Sequence, residues 1–346
     1  MSVVVLPRSN QSRCISLDKK DTAPFGNVTA TDIAVSELHK SVDRLLANVS
    51  QVVLGKRDVA RLCLLALFAG EHILLEDVPG VGKTLMGKAL SRSVDGDFCR
   101  IQFTPDLLPS DIVGSSIFNS QRSEFVFNPG PIFSNFVLAD EINRAPPRTQ
   151  SALLEAMSDC QVSVDGQTHQ LARPFMVIAT QNPFEFEGTY VLPESQLDRF
   201  LLRVSMGYPE REFESDILKN HRTGEPVDEL QPVCDWQRVI AIQSAVRNVV
   251  VDDSIVKYML DVVHATRDSP ELSYGVSTRG ALSWYRAVQA SALIDKRDYT
   301  IPDDPKDLAV AVLSHRVQQR GGVQGSRRSD VEAIIREIIG RISVPD

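Results

Sequence analysis

The sequence predicts an α/β fold: a parallel five-stranded sheet flanked by helices, followed by a small all-helical domain. Three observations predict it. Short apolar runs at 72–75, 99–103, 136–139, 175–179 and 201–204 alternate with helical segments. Polar residues able to do chemistry follow those runs, and strand patterning stops near residue 209. Strands alternating with helices build a parallel sheet covered on both faces, with ligands at the carboxyl ends of its strands.

The elements follow in order. The first thirty or so residues are polar, carry Asp, Asn, Ser and Pro without helical period, and read as a flexible N-terminal arm, 1–32. Ile33, Leu38, Val42, Leu45, Leu46 and Val49 recur at helical spacing. A second helix is expected over 57–68. Two hairpins interrupt the strand–helix alternation, at 116–127 with 119–123 as its turn, and at 161–173 around the Asp165-Gly166 turn signal. Helices are then expected near 211–221, 235–246, 254–266, 278–294, 305–316 and 329–342, with a linker at 223–232 rich in Gly, Glu and Pro. The expected division is an arm at 1–32, a nucleotide-binding core at 33–208 and a helical lid with its linker at 209–346. No internal repeat or low-complexity tract stands out.

Composition narrows the classes. With 43% hydrophobic and 24% charged residues, the chain matches neither a disordered nor a fibrous protein. A net charge of −8 and a sequence pI of about 5.4 argue against nucleic-acid binding by bulk electrostatics. The five cysteines (Cys14, Cys63, Cys99, Cys160 and Cys234) are scattered and form no CxxC pair, which disfavours a disulfide framework or zinc site and fits a reducing compartment. The six histidines include no HExxH pattern. No apolar run reaches the roughly 18–20 residues that span a bilayer, and Val3–Leu6 is too short for a signal-peptide core. The expected location is cytoplasmic.

The chemistry begins at residues 72–84 (HILLEDVPGVGKT), an apolar strand, a glycine-containing turn and a helix start. Gly80 and Gly82 permit backbone conformations that aim successive N–H groups at one anion, and the helix beginning near Lys83 adds its positive dipole end. Pro79, Gly80, Val81, Gly82, Lys83, Thr84 and Leu85 form the expected phosphate cradle. Lys83 would reach the β- and γ-phosphates and Thr84 would place its hydroxyl on Mg²⁺. The pattern departs from strict GxxxxGK(S/T), because Asp77 holds the first position. A plain surface turn is the bland reading; the strand before and helix after favour phosphate binding.

Some fifty residues on, the apolar run at 136–139 ends in Asp140 and Glu141. On a strand beside the phosphate loop, Asp140 can hold Mg²⁺ through water while Glu141 orients and deprotonates an attacking water. The run at 175–179 leads to Asn182, either a residue that helps position that water or an Asn before Pro that opens a turn. Arg199 precedes the last strand and Arg279 begins a helix in the second domain. A guanidinium can stabilise charge built up in phosphoryl transfer, yet the residues alone select neither arginine.

This succession resembles the AAA+ ATPases, and within them the MoxR family, from about residue 35 to 341. The resemblance rests on 75–84 (LEDVPGVGKT), 102–111 (QFTPDLLPSD), 127–133 (FNPGPIF), 139–157 (ADEINRAPPRTQSALLEAM), 179–183 (ATQNP) and 196–200 (QLDRF). Asp77 is then the usual variant of the loop. By this resemblance Lys83 and Thr84 are similar to Walker A, Asp140 and Glu141 to Walker B, Asn182 to sensor 1 and Arg279 to sensor 2. Arg199 is similar to the arginine finger that reaches a neighbouring subunit, with Arg144 and Arg148 as rivals. Gln102 matches a polar switch residue that restrains the catalytic glutamate. The hairpins resemble the helix-2 insert and the hairpin before sensor 1, which face a central pore. The family implies ATP and Mg²⁺ as cofactors, a hexameric ring and chaperone-like work on a protein substrate. It also implies a von Willebrand factor A domain partner in a separate chain. The alternatives are a nucleotide-gated scaffold with slow turnover, a small-molecule kinase, and a nucleic-acid motor drawing on the basic run at 316–328. The absence of NKxD disfavours GTP.

Overall fold

The computed structural model describes residues 4–5, 35–183, 189–220, 224–321 and 328–344. The arm expected at 1–32 therefore lies outside the described residues, except for a two-residue strand, β1 (Val4–Val5). The middle of the basic run, 322–327, also lies outside them.

Helix α1 (Val35–Val52) buries Leu38, Val42, Leu45 and Val49, one stripe at helical spacing. Helix α2 (Arg57–Ala69) is more apolar and ends at Gly70, whose left-handed conformation (φ 73°) lets its N–H reach back to Ala66 and Leu67 carbonyls. Strand β2 (His72–Glu76) is buried throughout. It leads through the glycine loop into α3 (Lys83–Ser93), then β3 (Phe98–Gln102) and a short α4 (Pro109–Val113). A hairpin of β4 (Gly114–Asn119) and β5 (Glu124–Pro129) precedes the buried β6 (Phe136–Asp140). Helix α5 (Pro147–Asp159) follows, with a second hairpin, β7 (Gln161–Val164) and β8 (Gln167–Gln170), turning at Asp165-Gly166. Strand β9 (Met176–Gln181), α6 (Glu194–Leu197) and β10 (Phe200–Val204) complete the core.

The sheet order is β1-β3-β6-β9-β2-β10. The five strands from β3 to β10 are parallel, and β1 adds antiparallel to β3 at Arg100 and Cys99. Their near-continuous apolar character has a direct cause: both faces are covered. Ile73 and Leu75 of β2 face a cluster containing α1, α2 and α3, whereas Leu74 faces one built from α4 and α5.

After β10 come α7 (Arg211–Asn220), α8 (Trp236–Val246), α9 (Asp253–Asp268), β11 (Leu272–Tyr274), α10 (Thr278–Ile294), α11 (Asp303–Leu313), β12 (Gln318–Gln319) and α12 (Arg328–Arg341). The N-caps of α8, α9 and α10 are Asp235, Asp252 and Ser277, each accepting a backbone N–H. Strands do not stop entirely at 209, because β11 and β12 pair antiparallel. Three and two residues carry too little alternation to show in the sequence.

The lid packs behind the core. Helix α10 lies on α2, where Arg61 meets Asp295 (2.8 Å) and Arg286 meets Glu71 (2.6 Å). Two lid side chains also close the free edge of β10. Buried Arg316 donates to Phe200 O (2.7 Å) and Leu201 O (3.0 Å), and His315 Nε2 lies 2.9 Å from Phe200 O. An edge strand with unpaired carbonyls is thereby satisfied from within the chain.

Candidate nucleotide site

The phosphate loop is a left-handed turn opening a helix. Gly80 (φ 86°) and Gly82 (φ 94°) both lie where a side chain is strained. A Cβ at Gly80 would meet nothing within 4 Å, so the loop faces open space that an anion can enter. Lys83 is the first residue of α3, and its Nζ donates to Asp77 O (2.8 Å).

Asp77, the departure from the glycine pattern, is the loop's root. Its Oδ2 accepts from Ser205 Oγ (2.9 Å) and Gly207 N (2.7 Å), and its Oδ1 from Val78 N (3.2 Å). The buried carboxylate thus ties the start of the loop to the chain leaving β10. No local sequence signal could show this, because its partners lie about 130 residues away.

Asp140 and Glu141 come to the same sheet edge. Strand β9 alone separates β6 from β2, placing the two strands about 10 Å apart. Asp140 shares its face of β6 with Phe136 and Leu138, the face against which α3 packs. Burial pulls the Lys83 ammonium below its usual pKa range; the fields of Asp140, Asp77 and Glu141 oppose that shift. Lysine and carboxylates therefore sense one another across the site.

Both acidic residues are held. Thr180 Oγ1 donates to Asp140 Oδ1 and itself accepts from Glu141 N (2.9 Å). Arg100 Nε (3.1 Å) and Nη2 both donate to Asp140 Oδ2. Glu141 adopts a left-handed conformation (φ 57°, ψ 49°), and its Oε2 accepts from Gln102 Nε2 (2.9 Å). The same oxygen lies 3.0 Å from Arg144 Nε. Arg144 is thus engaged with its own chain's glutamate. Arg100 escaped the sequence reading; its place two residues before Gln102, on one strand face, is the signal that could have found it. Asn182 directly follows β9, between the phosphate loop and Asp140–Glu141.

The other two arginines are elsewhere. Arg199 Nη1 donates to Leu154 O (2.5 Å) and to Ser158 Oγ on α5 of its own chain. Exposed Arg279 follows Ser277 and Thr278, and Ser277 Oγ donates to Asp198 Oδ2 (3.1 Å). Asp198 lies just before β10, whose first residue pairs with His72 at the start of β2. The phosphate loop leaves the other end of β2, about 17 Å away along five residues. Lid packing on α2 thus places the start of α10, with Arg279 (the residue matched to sensor 2), toward the end of the sheet opposite its own chain's glycine loop. Arg148, second in α5, is exposed.

The two hairpins touch, with Phe127 stacked on His169 (centroids 4.0 Å apart). Ile117, Phe118, Phe125 and Val126 of the first are exposed.

The residues fit a magnesium–triphosphate. A threonine hydroxyl and a carboxylate are hard oxygen donors suited to Mg²⁺, which keeps several waters and takes other ligands from the phosphates. Among the described residues no group of three or more His, Cys, Asp or Glu is arranged to hold a metal by itself. No helix there is long and apolar enough to cross a membrane.

Comparison with known proteins agrees with this geometry. Residues 72–202 match the model of the ATPase family associated with various cellular activities (AAA), and 264–338 match an AAA lid domain. The chain is 38% identical over 319 residues to the chaperone MoxR1 of Mycobacterium tuberculosis, covering 90% of this chain and 84% of that one. It is 51% identical over 314 residues to the uncharacterised protein YeaC of Bacillus subtilis, covering 89% and 96%. A crystal structure from Cytophaga hutchinsonii, of a protein proposed to be an ATPase, superposes with a TM-score of 0.82 at 37% identity, covering 90% of this chain and 97% of that chain.

Proposed function

The chain belongs to the MoxR family of AAA+ ATPases, and from that premise we propose that its ATP hydrolysis is magnesium-dependent and completed between subunits of a ring. One observation carries the reading: Lys83, where an open left-handed glycine loop enters α3, lies within the fields of both Asp140 and Glu141. The loop's backbone N–H groups and Lys83 take the β- and γ-phosphates. Thr84 and Asp140 would hold magnesium, which when bound neutralises charge on the phosphates. Glu141 takes the proton of a water whose oxygen bonds the γ-phosphorus as the bond to the β-phosphate bridge breaks, leaving ADP and phosphate. Asn182 helps orient that water.

Arg199 and Arg279 belong to a neighbour's site in this reading, because both sit at the strand end remote from their own loop. A ring that repeats one interface brings that end against the next phosphate loop. Hydrolysis then depends on assembly, with a hexamer as the expected number. The exposed apolar hairpin would contact a protein substrate in the pore. Remodelling or maturation of protein complexes is the proposed output, with a von Willebrand factor A domain protein as partner and the cytoplasm as the site of action.

Mixing tests the shared site. Lys83→Ala lacks its own phosphate grip but still offers Arg199 and Arg279. Arg199→Ala has the reverse defect. Each alone is expected to lose turnover, and their mixture to recover part of it. A mixture as inactive as its components would sink the shared-site reading. Full activity in Arg199→Ala would move the role to Arg279 or Arg148. If Glu141→Gln released phosphate as fast as wild type, the protein would act as a nucleotide-gated scaffold.

A further inference from the structure

We propose that Arg100 is a positioning residue that couples magnesium at Asp140 to the restraint on Glu141, so that a metal-engaged Asp140 and a Gln102-held Glu141 exclude one another. The inference rests on the reading of Asp140 as the metal-facing carboxylate. Arg100 and Gln102, two apart on β3, share the sheet face that carries Asp140. The guanidinium donates twice to Asp140 Oδ2 and, through Nη2, to Gln102 Oε1 (2.9 Å). Gln102 spends its amide on Glu141 Oε2 (2.9 Å). One planar cation therefore serves both acidic residues, the first directly and the second through an amide.

Thr180 occupies the other oxygen of Asp140, so both carboxylate oxygens already have donors. A divalent ion approaching Asp140 meets a cation seated on Oδ2, and the two repel. The Arg100 side chain is 40% exposed, against 13% for Asp140, so it has solvent to move into while the carboxylate does not. Its departure takes the donor from Gln102 Oε1 and frees that amide to turn away from Glu141. Glu141 then loses one of the two donors on Oε2 and is freer to turn toward the attacking water. A single guanidinium nitrogen, Nη2, reaches both partners, so the link needs a cation at that one place.

The test reads metal affinity rather than turnover. Mg²⁺ is titrated into full-length protein with a fluorescent ATP analogue, and the Mg²⁺ midpoint for nucleotide binding is measured. Arg100→Gln is expected to lower the midpoint about tenfold by removing the competing charge. Its affinity for the analogue in EDTA should stay within about threefold of wild type, because the loop is untouched. Gln102→Ala, which loosens Arg100 from its seat, should lower the midpoint about threefold, and the double variant should go no lower than Arg100→Gln alone. An unchanged midpoint in Arg100→Gln, or additive effects in the double variant, overturns the proposal. Should Arg100→Gln not fold, Arg100→Met replaces it, keeping a long stem without charge or donors: the midpoint should again fall about tenfold, and Gln102→Ala should have no further effect in that background; a persisting effect overturns the coupling. Wild-type nucleotide binding indifferent to Mg²⁺ would instead refute the underlying site, and the proposal with it.

Discussion

Asp77 offers the sharpest quantitative test of how the phosphate loop is held. Replacing it with alanine removes acceptors for Ser205 Oγ, Gly207 N and Val78 N at once. Hydrogen bonds to a charged group contribute about 1.5–3 kcal/mol each, and a buried N–H left without a partner costs about 1–3 kcal/mol. Ser205 is exposed and regains water, so its share is small. Gly207 N dominates, and removing the buried carboxylate returns some desolvation free energy. The expected net loss for Asp77→Ala is about 3 kcal/mol, and about 1.5 kcal/mol for Asp77→Asn, whose one carbonyl can still accept. Urea denaturation followed by circular dichroism, without nucleotide, measures both. On heating, the alanine variant should melt roughly 4 °C lower. Ser205→Ala should cost under about 1 kcal/mol and be nearly silent in the Asp77→Ala background, since the pair shares one bond. An Asp77→Ala protein within 0.5 kcal/mol of wild type, roughly the scale of an inconsequential surface change, would refute the anchoring role.

Further outcomes follow from the same geometry. Lys83→Ala should abolish nucleotide binding in calorimetry while leaving the unfolding midpoint within about 1 kcal/mol, because its recorded hydrogen bond is to the Asp77 carbonyl. Arg316→Met should destabilise by about 3–5 kcal/mol in urea, since it leaves Asp198 without its cation and Leu201 O without that donor. Burial lowers the pKa of both His72 and His315, in the latter with help from Arg316. Each is neutral when folded and protonates more readily when unfolded. Stability is therefore fully present above the unfolded value near 6.5 and falls as pH drops below it, by up to about 1.4 kcal/mol per histidine per unit. Denaturation should show lower stability at pH 5.5 than at pH 7.5, by at most roughly 3 kcal/mol for the two histidines together, and His315→Gln should reduce the difference; an equal loss in that variant would remove His315 from the account.

Much of this was readable from local pattern. Apolar runs gave the five parallel strands within one or two residues, and 278–294 coincides with α10. Asp165-Gly166 marked its hairpin turn because a two-residue connection needs positive φ at both positions, as seen (51° and 76°). Gly80, Gly82 and Lys83 announced a left-handed turn opening a helix, because glycine alone takes that backbone without strain, and such a turn is what the proposed phosphate grip requires.

What the chain order could not contain is who meets whom. Asp77 looked like a flaw in a glycine motif until β10 delivered Ser205 and Gly207 to it. Arg100 was an unremarked strand residue until β6 paired alongside and placed Asp140 under its guanidinium. Arg279 was matched to sensor 2 by motif alone until α10 packed on α2 and seated that helix's N-cap, Ser277, on Asp198, a strand's length from the loop. Periodicity, turn chemistry and loop composition are properties of neighbouring residues, so the sequence determined the elements and the glycine loop. Strand order and lid docking are set by burying apolar faces far apart in the chain, and only that tertiary packing decided which charges share a site.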